Sequence, residues 1–429
     1  MKTLRIGLCG SVAFAVLAHG AVEVWSEAIL NIGVALLFAL WAVLVARDPQ
    51  RRIYGSPLMW PLLGLLAIGA GQLLFRATAY AFLTEVETLR ILVYLLFFFL
   101  AAQAFRERSD LETLAWFLMA FGFAVSLFGI AQRYTSPDTE IYWFRKLTAG
   151  GDPFGPYVNR NHFAGFVELV APVGLAVMVL QGVRRDLFAL AALFTVVPIG
   201  ALLLSGSRGG IVSLGFEIAV LVLLVRGRRD TRATRFAGLV IVTLAALALI
   251  VWLGAGKALE RFSSLRPGDV SQGRRTTMAL GAARIFMAHP VAGAGLGNLV
   301  TVFPRYDTAY DGKVVDHAHN DYLEGLAEAG LLGGLCGAAF LWILWREAQR
   351  NYSAEQGHFS RAIHAFAITA VCGLLLHSLV DFNLRIPSNA LLFLLQASLV
   401  SAPLLPSQGP ALRRRGRREE PVETTTPAD

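Results

Sequence analysis

The feature that most constrains this chain is a succession of apolar runs, each close to the length of a transmembrane helix. A helix needs about 20 apolar residues to cross a hydrocarbon core roughly 30 Å thick. About twelve such runs can be placed, near residues 6–23, 26–45, 57–75, 88–105, 112–132, 161–181, 187–204, 209–225, 236–253, 321–345, 362–381 and 388–402. The pattern predicts an all-α integral membrane protein with about twelve transmembrane helices.

The composition agrees with a membrane protein and argues against a nucleic-acid-binding one. Charged residues make up 16% of the chain, whereas a soluble domain averages about 25%. The net charge is +8, but the basic residues mostly lie in clusters between apolar runs. The three cysteines, Cys9, Cys336 and Cys372, lie inside apolar runs and indicate neither a disulfide nor a metal site.

Clusters of arginine alternate with base-poor connections along the chain, and this alternation predicts the orientation. The basic clusters are Arg47/Arg51/Arg52, Arg106/Arg108, Arg184/Arg185, Arg226/Arg228/Arg229/Arg232/Arg235, Arg346/Arg350 and Arg413/Arg414/Arg415/Arg417/Arg418. Because basic residues near span ends stay in the cytoplasm, both termini are expected there. The two longest loops, 133–160 and 254–320, are then expected on the outer side.

These patterns also predict how the chain divides. Residues 1–402 are expected to form one polytopic membrane domain, and the charged residues 403–429, rich in Pro, Thr and Glu, a disordered cytoplasmic tail. Ala18-His19-Gly20 loosely resembles a signal-peptide cleavage site. We favour a retained first helix, because the run is long and its removal would leave an odd number of spans.

The outer loop 254–320 contains a second helical pattern. Apolar residues recur there at helical spacing: Met278, Ala282, Ile285 and Phe286. They predict an amphipathic helix on the membrane surface, ended by Pro290. Three glycines at alternate positions follow: Gly293, Gly295 and Gly297. Because they follow a helix rather than a strand, they predict a tight backbone segment and not a dinucleotide site.

A dense polar cluster stands where this loop enters the run 321–345, the predicted active-site helix. Its members are Asp316, His317, His319, Asn320, Asp321, Tyr322 and Glu324. Two positions apart on a helix do not share a face, so His317 and His319 make a poor metal pair, and no metal is predicted. The sharper hypothesis makes His319 a general base that takes a proton from a hydroxyl. The alternative is a solvated, inert imidazole. Asn320 is expected to cap the helix or to orient the imidazole.

Four arginines are expected on the outer side, near this cluster. Arg208 stands in SGSRGG between two spans, Arg160 in YVNRNHFAG, and Arg274 and Arg275 head the amphipathic helix. An arginine at membrane depth is costly, which favours a functional role. Guanidinium forks bind phosphate oxygens, so converging arginines would hold a diphosphate and stabilise it as it leaves. The alternatives are snorkelling to the interface and contact with anionic lipid. Glu168, Glu217 and Arg90 lie within spans and are expected to be paired inside the bundle.

Four motifs in this order resemble the O-antigen ligase and polymerase superfamily of bacterial envelope glycan enzymes. They are VNRNHFAG (158–165), SGSRGG (205–210), GRRTTMALGAARIFMAHPVAGAGLGN (273–298) and HAHNDYLEGLAEAGLLGG (317–334). The resemblance implies a helical membrane fold like that of the GT-C glycosyltransferases. It implies an undecaprenyl-diphosphate-linked glycan as donor and a reaction at the periplasmic face of the bacterial inner membrane, without metal, nucleotide or other cofactor.

The resemblance also assigns roles to residues. His319 corresponds to the presumed base, Arg208 to an arginine that contacts the donor diphosphate, and Arg275 to the arginine at the start of the loop helix. Arg160 occupies a position that is less consistently basic in the family. Arg160, Arg274, His317, Asn320 and Tyr322 are expected to bind substrate.

Several functions remain open at this point. We favour ligation of O-antigen to lipid A-core in lipopolysaccharide biosynthesis over polymerisation on the lipid carrier. A third branch of the family glycosylates pilin-type proteins, but those chains usually carry extra C-terminal sequence. A flippase for the same lipid-linked sugars is the rival from another class. Flippases tend to have short loops and charges near the midplane of paired halves, whereas this chain gathers His and Arg in a long outer loop.

Overall fold

The computed structural model describes residues 1–48, 50, 52–136, 140–147, 151–226, 270–354 and 357–404. This part of the chain is a bundle of α-helices with one short hairpin. The helices are α1 (Lys2–Leu17), α2 (Val24–Ala46), α3 (Met59–Leu74), α4 (Ala81–Ala104), α5 (Arg108–Thr135), α6 (Arg160–Val179), α7 (Phe188–Ser205), α8 (Arg208–Val225), α9 (Val270–Ala288), α10 (Leu299–Val302), α11 (Asp321–Ala354), α12 (His358–His377) and α13 (Pro387–Ser401). The antiparallel strands β1 (Glu140–Ile141) and β2 (Arg145–Lys146) lie between α5 and α6, and single 3-10 turns occupy Arg185–Leu187, Phe303–Arg305 and Asn383–Arg385.

The prediction of an all-α integral membrane protein is confirmed. Within the described ranges, seven helices are long and apolar enough to cross a membrane: α2, α5, α6, α7 together with the turn before it, α8, α11 and α12. The shorter helices α3 and α13 are also apolar. The predicted run 236–253 and the predicted tail beyond residue 404 lie outside the described residues. The first run ends earlier than predicted, because the chain turns at His19 and Ala21, which have φ values of 60° and 57°.

Two helices, α6 and α13, form the centre of the bundle. Every residue of α6 from Asn161 to Val179 is buried, and so is every residue of α13. A helix that is buried on all sides must be surrounded by other helices. Helix α12 packs against α6 and α8, and α13 packs against α4, α12 and α11. The first turns of α6 and α8 and the last turn of α12 therefore meet at one end of the bundle.

Helix α11 is broken at Gly330, which has φ 61° and ψ −159°. The chain after α9 crosses this break and satisfies the backbone groups that it frees. Ala294 and Gly295 donate their N–H groups to the carbonyls of Ala327 and Glu328, at 2.9 and 3.1 Å. In return, the carbonyls of Pro290 and Val291 accept from the N–H groups of Leu331 and Leu332, at 2.8 and 3.1 Å. Inside a membrane such groups need internal partners, so the glycine-rich segment completes the helix.

Alanine is not expected to be tolerated at Gly330, the glycine of this break. It is expected to be tolerated at Gly325, five residues earlier in the same helix. A Cβ on Gly330 would lie 2.4 Å from the Val291 carbonyl oxygen, in addition to the strain of its left-handed backbone. Gly330→Ala should therefore lower the free energy of unfolding by more than about 2 kcal/mol. A Cβ on Gly325 meets nothing within 4 Å. Gly325→Ala should be neutral or stabilising. Thermal unfolding of the two purified variants checks this, and equal midpoints would contradict the crossing.

The loop helix is present as α9, four residues longer at its start than predicted. It ends at Ala288, before Pro290, as expected. Ala282 and Ile285 are fully buried in a small apolar cluster with Phe303, Ala318 and Ala327. This cluster fixes α9 against the start of α11, and the position of α9 on a membrane surface stays a prediction.

Candidate active site

The polar segment that enters α11 has a fixed conformation. The Asn320 side chain accepts a hydrogen bond from the Leu323 N–H at 2.9 Å and donates one to the Leu379 carbonyl at 2.8 Å. Asn320 therefore caps α11, as the sequence predicts. His319, the residue before it, has a left-handed backbone with φ 50°. Such a conformation is costly for a residue other than glycine, and its occurrence is typical of functional sites.

The His319 imidazole lies against the carboxyl group of Asp381, which is 1% exposed. The Nδ1 atom of His319 is 3.2 Å from Asp381 Oδ1. A carboxylate can only accept, so Nδ1 carries the hydrogen, and in the neutral form of the ring Nε2 presents a lone pair. An imidazole held in this way can take a proton at Nε2 while the carboxylate balances the positive charge that results.

Three further groups converge on the same carboxyl. The Asn161 side-chain amide, in the first turn of α6, donates to Asp381 Oδ2. His162 Nε2 lies 3.9 Å from Oδ1, and Arg275 Nη2 lies 3.8 Å from Oδ2. The Asp381 carboxyl therefore joins α6, α9 and the segment before α11, which are remote in sequence.

These neighbours keep Asp381 ionised. Burial by itself raises the pKa of a carboxyl, but the hydrogen bond from His319 and the charges of the surrounding imidazoles outweigh it. They hold the pKa of Asp381 well below its ordinary value. The carboxylate can therefore act as a permanent counter-charge for His319 and Arg275.

Phe382 packs its ring among three imidazoles beside this carboxylate. The ring of His317 stacks on it with centroids 4.2 Å apart, and the rings of His162 and His319 meet it edge-on at 4.6 and 4.9 Å. His317 is bound on its other side, where its Nδ1 lies 2.8 Å from Glu324 Oε1. Burial opposes the imidazolium form, but the bond and charge of Glu324 raise the pKa of His317 above its ordinary value. His317 thus retains its proton more readily, which favours His319 as the base.

A second ion-pair network, centred on Arg385, contacts the first two turns of α11. The Arg385 guanidinium contacts Glu324 at 3.2 Å, Glu328 at 2.6 Å and Glu87 of α4 at 3.2 Å. The hydroxyl of Tyr322 donates to the Leu375 carbonyl of α12 at 2.7 Å. These contacts fix the first turns of α11 relative to α4 and α12. The substrate contacts expected of His317, Asn320 and Tyr322 stay predictions.

The two adjacent arginines of α9 point to different partners. The guanidinium of Arg274 binds both carboxylate oxygens of Asp307. Its Nη1 lies 2.7 Å from Oδ1, and its Nη2 lies 2.8 Å from Oδ2. Arg275 lies beside Asp381 and donates to the Val380 carbonyl at 3.4 Å, and its side chain is 42% exposed. Arg275 therefore shares the carboxylate of His319, whereas Arg274 fastens α9 to the loop that follows. Substrate contact by Arg274 stays a prediction, and the geometry favours a structural role.

This difference predicts distinct outcomes for two neighbouring substitutions. Arg275→Ala should lower turnover by about 10- to 100-fold, the effect of losing a hydrogen bond to a charged group. Arg274→Ala should instead lower the thermal unfolding midpoint with a smaller loss of turnover. Both quantities are measured on each purified protein. A normally folded Arg274→Ala protein that loses as much turnover as Arg275→Ala would contradict the assignment.

The other two predicted arginines begin α6 and α8. Arg160 is paired with Asp152 at 2.6 Å, and the next two residues of α6 reach Asp381. Arg208 follows Ser207, which caps α8 by accepting from the Gly210 N–H at 3.2 Å. A Cβ on Gly209 would lie 2.6 Å from His377 Nε2, so the start of α8 packs directly against His377, four residues before Asp381. The structure thus brings the backbone of Arg208 to the end of the bundle that holds His319 and Arg275.

Asp381, the residue at the centre of the site, was not among the predicted site residues. It lies 62 positions from His319, in the connection 381–385 that follows α12. The available signal was a carboxylate at the outer end of a predicted span, followed directly by an aromatic residue, an asparagine and, at Arg385, an arginine. Asn161 and His162 lie in the motif 158–165, but the motif predicted no role for them.

Metal ligation was expected to be absent. Among the described residues, no group of three or more His, Cys, Asp or Glu side chains has the geometry to hold a metal ion. Metal independence of the reaction stays a prediction.

Residues 191–338 match the family model described as O-antigen ligase. The matched part contains the motifs 205–210, 273–298 and 317–334, and with them Arg208, Arg275 and His319. The segment 158–165 and Asp381 lie outside it. No curated protein matches the chain.

Proposed function

We infer the function from the premise that this chain belongs to the O-antigen ligase and polymerase superfamily, which residues 191–338 match. We propose that it transfers a glycan from a lipid diphosphate to an acceptor hydroxyl. The family match indicates glycan ligation or polymerisation in general. The single observation that carries the finer proposal is the shared carboxylate of Asp381. It lies 3.2 Å from the imidazole of His319 and 3.8 Å from the guanidinium of Arg275.

The acceptor is activated by His319. The Nδ1–H group of His319 donates to Asp381, so Nε2 accepts the proton of the acceptor hydroxyl. The hydroxyl oxygen attacks the anomeric carbon of the donor sugar, and the bond from this carbon to the diphosphate oxygen breaks. Because attack and departure occur on opposite faces, the anomeric configuration inverts.

The departing diphosphate is stabilised by arginine. Arg275 presents its exposed side chain beside His319, and Arg208 begins α8 next to His377. Fixed cations near the leaving oxygens are worth most in a site that excludes bulk water, because they need no reorganisation during the reaction. Arg160 extends this basic lining while paired with Asp152.

The proposed donor is an undecaprenyl-diphosphate-linked glycan, and the proposed acceptor is lipid A-core. Growth of the glycan on its own carrier is the second candidate. The site would then face the periplasm of the bacterial inner membrane, with both termini in the cytoplasm. The pattern of basic loops supports this orientation.

Transfer and transport are separated by reconstitution. The full chain in liposomes, supplied with lipid-diphosphate glycan and lipid A-core, should form a new glycosidic bond and release the lipid diphosphate. A flippase would move labelled lipid between leaflets without new product, and this outcome would reject the proposal. Attachment to lipid A-core identifies a ligase, whereas longer glycans on the lipid carrier identify a polymerase.

A further inference from the structure

Glu217 is a carboxyl group inside the helix bundle that the proposed reaction does not use. It lies midway along α8 and is fully buried. Neither of its oxygens has a hydrogen-bond partner among the described residues. A Cβ on Gly373 of α12 would lie 2.1 Å from Glu217 Oε1, so the carboxyl occupies the space that this glycine leaves. Glu217 thus departs from the expectation of an ion pair, whereas Arg90 meets it through Glu27 and Glu87.

The side of α12 that contacts Glu217 also carries His377, which lies next to the candidate active site. Thr369, Gly373 and His377 are four residues apart, a spacing that places them on the same side of a helix, and Asp381 follows at the same interval. His377 Nδ1 lies 2.7 Å from Glu168 Oε1 of α6. Glu168 is also fully buried, and its Oε2 has no partner within the described ranges.

Two buried carboxyl groups close to each other cannot both stay ionised. Among the described residues, the groups that act electrostatically on Glu217 are Glu168 of α6 and Cys372 of α12, and neither supplies a positive charge. An unpaired carboxylate in an apolar interior is so unfavourable that the group takes up a proton instead. Within membrane spans, such residues are associated with proton binding and transfer.

We propose that Glu217, Glu168 and His377 form an intramembrane proton-binding site next to the donor site. Glu217 holds one proton as the neutral acid, and Glu168 and His377 share a second. His377 packs against the start of α8, where Arg208 lies. Loss of these protons would place negative charge below the proposed diphosphate position and oppose donor binding. This last consequence rests on the proposed function, but proton binding does not.

Infrared spectroscopy of the purified full chain tests proton binding without any activity measurement. The wild-type protein should show a protonated-carboxyl stretching band that persists through neutral pH and shifts in D₂O. In Glu217→Gln this band should lose the part that Glu217 contributes. Glu112→Gln, at an exposed carboxylate paired with Arg108, is the control and should leave the band unchanged. A folded Glu217→Gln protein with the wild-type band would overturn the proposal.

A second variant decides the matter if Glu217→Gln does not fold. In Glu168→Gln the neighbouring negative charge is absent, so the Glu217 band should persist with its titration displaced to lower pH. An undisplaced titration would overturn the proposal. The link to the donor site has its own test: wild-type turnover should fall at alkaline pH, and Glu217→Gln should retain it there. Equal alkaline loss in both proteins would contradict the link.

Discussion

Replacement of His319 by alanine is expected to lower the turnover of glycan transfer by about 10²- to 10⁴-fold, the contribution of a positioned general base. Donor affinity should change little, because the groups proposed to hold the diphosphate are the arginines. The measurement is transfer at saturating donor, together with donor binding to the same protein. The expected signature is a large loss in kcat with a nearly constant dissociation constant for the donor.

A matched histidine separates a specific effect from a general one. His289 is exposed and lies at the end of α9, on the same loop as His319. His289→Ala should retain close to the wild-type turnover. Comparable losses of turnover in the two variants would show that the effect is not specific to His319. Near-normal turnover in His319→Ala would reject His319 as the general base.

The second large effect is expected from Asp381→Asn. An amide can donate to Nδ1 of His319 and so move the ring hydrogen to Nε2, the atom that must accept the proton. It also removes the counter-charge of the imidazolium and of Arg275. We expect a loss in kcat of about 10²- to 10⁴-fold, similar to that of His319→Ala because the two residues act as a unit. In the double variant the loss should be no larger than in either single one, and additive losses would contradict the coupling.

The pH dependence of stability tests whether Asp381 is ionised in the folded protein. Its pKa is lower in the folded protein than the ordinary carboxyl value of about 3.9, so its ionised form stabilises the fold above that pH. This stabilisation is lost only as the pH falls through the lowered pKa. Asp381 therefore stays charged over the neutral and mildly acidic range. The loss of stability that accompanies protonation of this carboxyl should therefore be absent in Asp381→Asn. Equal acid dependence of the free energy of unfolding in the two proteins would contradict the ionised state of Asp381.

The sequence was sufficient for features that depend on neighbours in the chain. The apolar runs predicted the membrane helices, and the Asn320 cap followed from the residues beside it. The end of α9 just before Pro290 was likewise predicted from adjacent residues. In each case the decisive contact spans only a few residues, so periodicity and capping rules apply directly.

The remaining features depend on contacts between distant segments. The carboxylate of Asp381 meets His319 only after α12 has packed against α6 and α11. The glycine-rich segment was predicted to be tight, but its role in completing the broken α11 requires Gly330, far along the chain. Arg274 and Arg275 are adjacent in the sequence, and only the positions of their partners, Asp307 and Asp381, distinguish them.

The central claim is that one donor diphosphate lies between the arginines and the imidazole. The most direct measurement is an experimental structure of the full chain with a lipid diphosphate glycan bound. We expect phosphate oxygens within hydrogen-bond distance of Arg208 and Arg275, with the anomeric carbon facing Nε2 of His319. A diphosphate bound elsewhere would contradict it, for example in the cavity of about 590 Å³ lined by Arg5, Arg52 and Arg106 at the other end of the bundle.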